Sequence, residues 1–302
     1  MFLVKQVLQE FCKYITAIRT KVTAATYTLA VDRFLTWFKS QGYSRLESAP
    51  RNTLQNYCMY LVNEGYSPAT VRLQIVGVIQ FLKFCRMFKE IPIPEFYPVE
   101  LPKTKTKVKD ILVPAAFTTY FRLANELTEP TRTALKLLPC SGLRCEELVS
   151  LPLNCLRRTT LRLKNGREKQ TLTVLVKGKG GNERLVPLLE EGAQALTNYL
   201  KGWRSGNQDI KWMFPGKKKQ HIASRTIRDA LQRIRKPLKM KFTPHTMRRT
   251  YLTTLYHQGV DPVILAKIAG HKSTQTLMNH YLYLDEQDLA SAVHHSGGRL
   301  IT

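Results

Sequence analysis

Carboxylates are scarce in this chain: 302 residues carry 22 Asp and Glu against 47 Lys and Arg, a formal charge of +25 with histidine neutral. A surface so short of negative charge repels basic partners and attracts polyanions, because every phosphate met by Lys or Arg releases condensed counterions. The basic residues run along the whole chain instead of gathering in one tail, which places them on folded surfaces. Paired cysteines are also missing. Cys12, Cys58, Cys85, Cys140, Cys145 and Cys155 contain no C-x-x-C spacing, which argues against a zinc site or a secreted disulfide scaffold and for reduced core thiols. No apolar run approaches the roughly 18 residues of a membrane span, and "MFLVKQVLQEFCKY" meets charge at Lys5 without forming a signal-peptide core. Internal repeats are absent, and low complexity is confined to Lys217 to Lys219. These absences leave a cytoplasmic protein with a polyanionic partner and no membrane association.

The length permits two cores. In "TYTLAVDRFLTWFKSQG", Tyr27, Val31, Phe34, Leu35 and Phe38 recur at helical intervals, and Gly42 closes the helix. A second helix runs through "TLQNYCMYLVNEG". A third opens with Ser67 as N-cap and Pro68 at its first position, with Val71, Ile75, Val78, Leu82 and Cys85 on its stripe. Residues 1–90 therefore read as an all-helical unit, with its first clear helix starting near Ala24. Residues 91–110, proline-rich and then alternating lysine with threonine, read as an extended linker. Residues 111–302 form a second unit: helical runs over 114–138 and 145–151, then strands Thr159 to Leu163, Thr171 to Val176 and Arg184 to Leu188. Asn165-Gly166 and Gly178 to Gly181 supply the hairpin turns, and helices return after residue 190. The expected fold is mainly α with one small antiparallel β-sheet.

Several residues are of types that carry chemistry. Arg144, in "PCSGLRCEELVSL", sits where Pro139 and Gly142 break one helix and another begins. It aims a planar donor fork at whatever occupies that turn, unless it is simply an ion pair with Glu147. Lys179 lies at the tip of the glycine-rich turn "KGKGGNER", either a mobile ammonium for a close-approaching ligand or a charge in solvent. His245 and Arg248, three apart just past Pro244, project from one helix face, with Arg249 turned about 100° away. His271 follows the helix-ending Gly270. In "GHKSTQTLMNHYLYL", Tyr281 and Tyr283 are two apart, about 200° around a helix, so only one of them can enter a cleft.

Taken in order, these residues resemble the tyrosine recombinase, or phage integrase, family. "SPATVRLQIVGVIQFLKF" looks like its N-terminal core-binding domain. "SGLRCEELVSLPL", "VKGKGGNERLVPL", "HTMRRTYLTTL" and "AGHKSTQTLMNHY" look like its four catalytic blocks in their proper order. The resemblance implies a helical core-binding domain followed by an α+β catalytic domain with a C-terminal tail. It implies Arg144, Lys179, His245, Arg248, His271 and Tyr281 as the catalytic set. Most members place the nucleophile nine residues after the later histidine, which here is His280; others use ten, which is Tyr281. The implied activity is cleavage and rejoining of double-stranded DNA at specific core sites through a 3′-phosphotyrosine. Neither metal, ATP nor any other cofactor is expected, and no acidic cluster that would hold two metal ions lies near these blocks. The implied partners are paired DNA sites, a protein dimer on each and a homotetramer overall, with room for an accessory protein; the implied location is the nucleoid. Lack of a recognisable arm-binding domain suggests a simple core-site enzyme. Type IB topoisomerases share the constellation but not this N-terminal unit, and a non-catalytic DNA-binding protein would not depend on Tyr281.

Overall fold

The structure, a computed structural model, describes residues 2–103, 111–112, 114–162, 168–178, 181–207, 210–271 and 273–280. The chain divides into two compact units, Met1–Lys107 and Val108–Thr302.

The first unit holds α1 (Phe2–Ile18), α2 (Lys21–Ser40), α3 (Thr53–Asn63) and α4 (Pro68–Lys89). The apolar stripes meet in its core: Val31, Phe34 and Phe38 of α2 are buried with Val71, Ile75, Val78 and Leu82 of α4. The two helices approach closely at Gly77, where a Cβ would lie 2.9 Å from that of Ala30. Ser67 caps α4 as its sequence position predicts, its hydroxyl accepting from the Thr70 amide at 3.3 Å. The first helix lies earlier than the sequence reading placed it. Val7, Phe11 and Ile15, spaced by four, bury one face of α1 against the same core, which makes it an integral helix of the unit.

Residues 90–103 contain no helix or strand, as their prolines dictate, but they are no free spacer. Ile93 is buried in the first core, the Tyr97 amide donates to the Arg51 carbonyl at 2.9 Å, and the Glu100 amide donates to Gln55 Oε1 at 2.9 Å. The lysine-threonine stretch 104–110 lies outside the described residues.

The second unit contains α5 (Pro114–Asn125), α6 (Thr131–Ser141), α7 (Cys145–Val149), β1 (Leu156–Arg162), β2 (Glu168–Lys177), β3 (Glu183–Pro187), α8 (Glu190–Lys201), α9 (Ser224–Leu238), α10 (Pro244–His257), α11 (Pro262–Ala269) and α12 (Thr274–His280). The strands form one antiparallel sheet in the order β1-β2-β3, with Val174 opposite both Leu156 and Val186. Val174, Val176 and Val186 turn one face of it into the helical core. The fold is thus mainly helical with one small antiparallel sheet. Among the described residues, no helix is long and apolar enough to cross a membrane.

Two expectations need correcting. The helical run read over 114–138 is two helices, α5 and α6. Pro139 does not break α6 but lies within it. A proline there leaves the carbonyl four residues back without its amide donor, and the buried Tyr120 hydroxyl takes the amide's place, donating to Leu135 O at 2.8 Å. It is Gly142, in the left-handed conformation at φ 59°, that ends the helix. The cysteines behave as expected: all six are free thiols, five of them buried, and burial pushes Cys140 up to about 12.

Candidate active site

The left-handed turn at Gly142 sets the site. A Cβ on this residue would meet Tyr251 Cδ1 at 2.3 Å, so glycine alone lets α6 end against α10. Two residues on, Arg144 is the extended N-cap of α7. Its amide donates to Glu147 Oε2 at 2.9 Å and its Nη1 to Glu147 Oε1 at 2.8 Å, which makes Glu147 the reciprocal partner of a helix cap. The ion pair anticipated beside Arg144 is therefore real, yet Arg144 still faces the cleft with 38% of its side chain exposed.

Glu147 has a second cation. Arg184 of β3 forks onto it, Nη1 to Oε1 at 3.1 Å and Nη2 to Oε2 at 2.7 Å. Burial alone would raise the Glu147 carboxyl, but hydrogen bonds from Arg184 and from the Arg144 amide, with the charges behind them, hold it below the ordinary range.

His245 and Arg248 both stand near the start of α10, where Thr243 caps the helix by accepting from the Thr246 amide at 3.2 Å. The sequence places them on one face, but they are used differently. His245 opens to the cleft. Arg248 is 1% exposed and spans the ends of two other helices: Nη1 donates to Gly142 O at 2.6 Å and Nη2 donates to Ala269 O. Carbonyls at helix C-termini lack intrahelical partners and carry the negative end of the dipole, so a buried guanidinium suits them. Arg248 Nη2 also lies 3.3 Å from His271 Nε2. A guanidinium only donates, so Nε2 is the accepting atom in this contact. His271 is delivered by Gly270, the left-handed cap of α11 at φ 65°.

Arg144, His245 and His271 line one cleft of about 1780 Å³, with Arg248 directly beneath. Its other walls include the base of the β2-β3 hairpin, Gly178 and Asn182, and from α9 Arg228, Gln232 and Arg235. Burial first, then the positive fields of Arg248, Arg144, Arg249 and Arg228, lower the His245 imidazole from its ordinary value and keep it neutral near pH 7. Lys179, Tyr281 and Tyr283 lie outside the described residues. Sequence reading missed Arg184, whose partners are 37 and 84 positions away and leave no local signal. It also missed the cleft face of α9, although the spacing of Arg228, Gln232 and Arg235 is helical and amphipathic.

Fixed guanidinium groups beside a neutral imidazole suit a phosphoryl group: cations to meet its oxygens and a base to accept a proton. The Phage integrase family profile matches residues 115–288, which contain the whole cleft. Tyrosine recombinase XerD of Pseudomonas aeruginosa is 27% identical over 287 residues, 91% of this chain and 92% of its own. Among solved structures, the XerH site-specific recombinase in a post-cleavage complex with a palindromic difH substrate has TM-score 0.71 at 18% identity. It covers 96% of this chain and 84% of that one. The Tn1549 transposon integrase in complex with transposon right end DNA has TM-score 0.67 at 17% identity, covering 96% and 99%. The chain belongs to the phage integrase family and is a tyrosine site-specific recombinase.

Proposed function

We propose that this recombinase cleaves and rejoins duplex DNA at specific sites with Tyr281 as nucleophile. The reading is carried by one observation: Arg144, His245 and His271 converge on a single cleft over Arg248. The Tyr281 oxygen attacks phosphorus, the bond from phosphorus to the 5′-oxygen breaks, and a 3′-phosphotyrosine forms with a free 5′-hydroxyl. The new ester conserves the energy of the old one, so a 5′-hydroxyl from a partner duplex reverses the step and ATP has no part in it. His245, neutral for the reasons given above, accepts the phenol proton, and Lys179 gives one to the leaving 5′-oxygen. Arg144 meets the non-bridging oxygens from a fixed position. His271, at the cleft wall beside Arg248, adds a hydrogen bond to them. Arg248 contributes charge from behind and sets the histidine.

Exchange between two duplexes opens four strands, and one tyrosine per strand requires four protomers, a dimer on each site. The excess of basic residues along the chain supports tight, salt-sensitive binding of the duplex backbone.

The test is to incubate wild type, Tyr281→Phe and Tyr283→Phe with labelled duplexes drawn from the DNA flanking the coding sequence. Denaturing gels then reveal protease-sensitive adducts. Wild type and Tyr283→Phe are expected to form one and Tyr281→Phe none. An adduct that persists in Tyr281→Phe rejects the nucleophile assignment.

A further inference from the structure

Arg184 is a largely buried cation beside the cleft. It is 11% exposed at its side chain and faces a carboxylate 10% exposed. It reaches three elements at once. It stands on β3, forks onto Glu147 of α7, and its Nε donates to Ile268 O at the end of α11, 2.8 Å away. The next turn is shaped around it: a Cβ on Gly270 would lie 3.1 Å from Arg184 Cδ and 3.2 Å from its Nε.

We infer that Arg184 is a positioning residue, fixing Arg144 through Glu147 and setting the turn that presents His271. The inference rests on the reading of this cleft as the strand-transfer site. Each Glu147 oxygen accepts twice, Oε1 from Arg144 Nη1 and Arg184 Nη1, Oε2 from the Arg144 amide and Arg184 Nη2. With its acceptor capacity shared in this way, the carboxylate engages Arg144 through a single guanidinium nitrogen, Nη1. Without Arg184 it keeps its charge and loses two donors, so the nearest cation left to satisfy it is Arg144, which is drawn out of the cleft. Lysine cannot substitute, because one ammonium cannot make the two-pronged contact and also reach Ile268. The same residue anchors the base of the hairpin whose turn carries Lys179 in sequence, so one side chain ties three elements of the site together.

The test uses the full chain with Arg184→Lys, Arg184→Met, and Arg184→Met combined with Glu147→Leu. Four quantities are read: the Arg144 Nε–Hε NMR signal, assigned with Arg144→Lys; the urea midpoint; the single-turnover rate of covalent trapping; and the affinity for the duplex. The trapping probe is the duplex that wild type captures from a nicked pool with randomised flanks. In Arg184→Lys, the Arg144 signal is expected to move away from its wild-type position as the guanidinium turns onto Glu147. Trapping at saturating duplex should fall by about 100-fold, the cost of a small displacement of a reacting group, while duplex affinity, set by the wider basic surface, changes little. A purely structural ion pair would be replaced by the Met and Leu pair without loss of trapping; here that variant should regain its urea midpoint and remain slow. An Arg144 signal unchanged in Arg184→Lys and Arg184→Met, or trapping that tracks the urea midpoint alone, overturns the inference. If wild type captures no duplex, the strand-transfer reading fails instead, and the NMR arm still decides what Arg184 does.

Discussion

Replacing Gly142 and Gly259 by alanine separates two costs that are usually confounded. Both glycines follow helices and have left-handed backbones, at φ 59° and 83°. Alanine there costs about 1–2 kcal/mol from the clash of Cβ with the backbone. At Gly259 nothing lies within 4 Å of the new methyl group, so the cost ends there. At Gly142 the methyl group would meet three ring atoms of Tyr251, at 2.3, 3.0 and 3.1 Å. That ring is fully buried and is held at its far end by a hydrogen bond from its hydroxyl to Pro187 O, 2.7 Å long. Overpacking adds about 1–3 kcal/mol, and displacing the ring loses a hydrogen bond of about 1 kcal/mol. Gly142→Ala is therefore expected to cost about 3–6 kcal/mol and Gly259→Ala about 1–2, against a total stability of roughly 5–15 kcal/mol. Of the three tryptophans, Trp203 and Trp212 belong to the second unit. A Trp37→Phe background thus lets urea-unfolding fluorescence report that unit alone. Equal losses at the two glycines would refute the account of how α6 ends against α10.

Tyr120→Phe removes the donor that satisfies Leu135 O beside Pro139. A buried carbonyl left without a partner costs about 1–3 kcal/mol, and urea unfolding that matches wild type would show that this carbonyl has no need of the hydroxyl. Thr243→Ala removes the cap of α10 and should cost about 1 kcal/mol in the same measurement; a neutral result would mean that the cap is replaced by solvent. His245 is held below its ordinary 6.5, by burial first and then by Arg248, Arg144, Arg249 and Arg228. The unfolded chain therefore binds this proton more tightly than the folded one. The residue's contribution to stability is present above pH 6.5 and is lost as pH falls through the lowered folded value. An NMR titration of its imidazole, assigned with His245→Gln, should give a midpoint under 6.5 that rises when duplex DNA brings phosphates into the cleft. A midpoint at or above 6.5 in the free protein contradicts the electrostatics described here.

Local chemistry explains what the sequence made legible. The Ser67 and Asp261 caps, each followed by proline, mark the starts of α4 and α11, and the alternating apolar residues of β2 and β3 mark the hairpin. These signals act within a few residues. The α1 stripe was equally legible, through Val7, Phe11 and Ile15. What could not be read locally was decided by partners far along the chain. Pro139 looks like a helix breaker until Tyr120, 19 positions earlier, supplies the missing donor. Arg248 looks like a cleft residue because its helix face is that of His245. The unsatisfied carbonyls of Gly142 and Ala269, 106 and 21 positions away, draw it inward. Arg184 carries no local signature, because its meaning lies in Glu147 and Ile268.

The most direct test of the strand-transfer account is peptide mapping of the trapped adduct. After nuclease and protease digestion, tandem mass spectrometry of the peptide spanning residues 270–284 should locate a nucleotide on Tyr281, joined through its 3′-phosphate. A nucleotide on Tyr283, on any other side chain, or joined through a 5′-phosphate would contradict it.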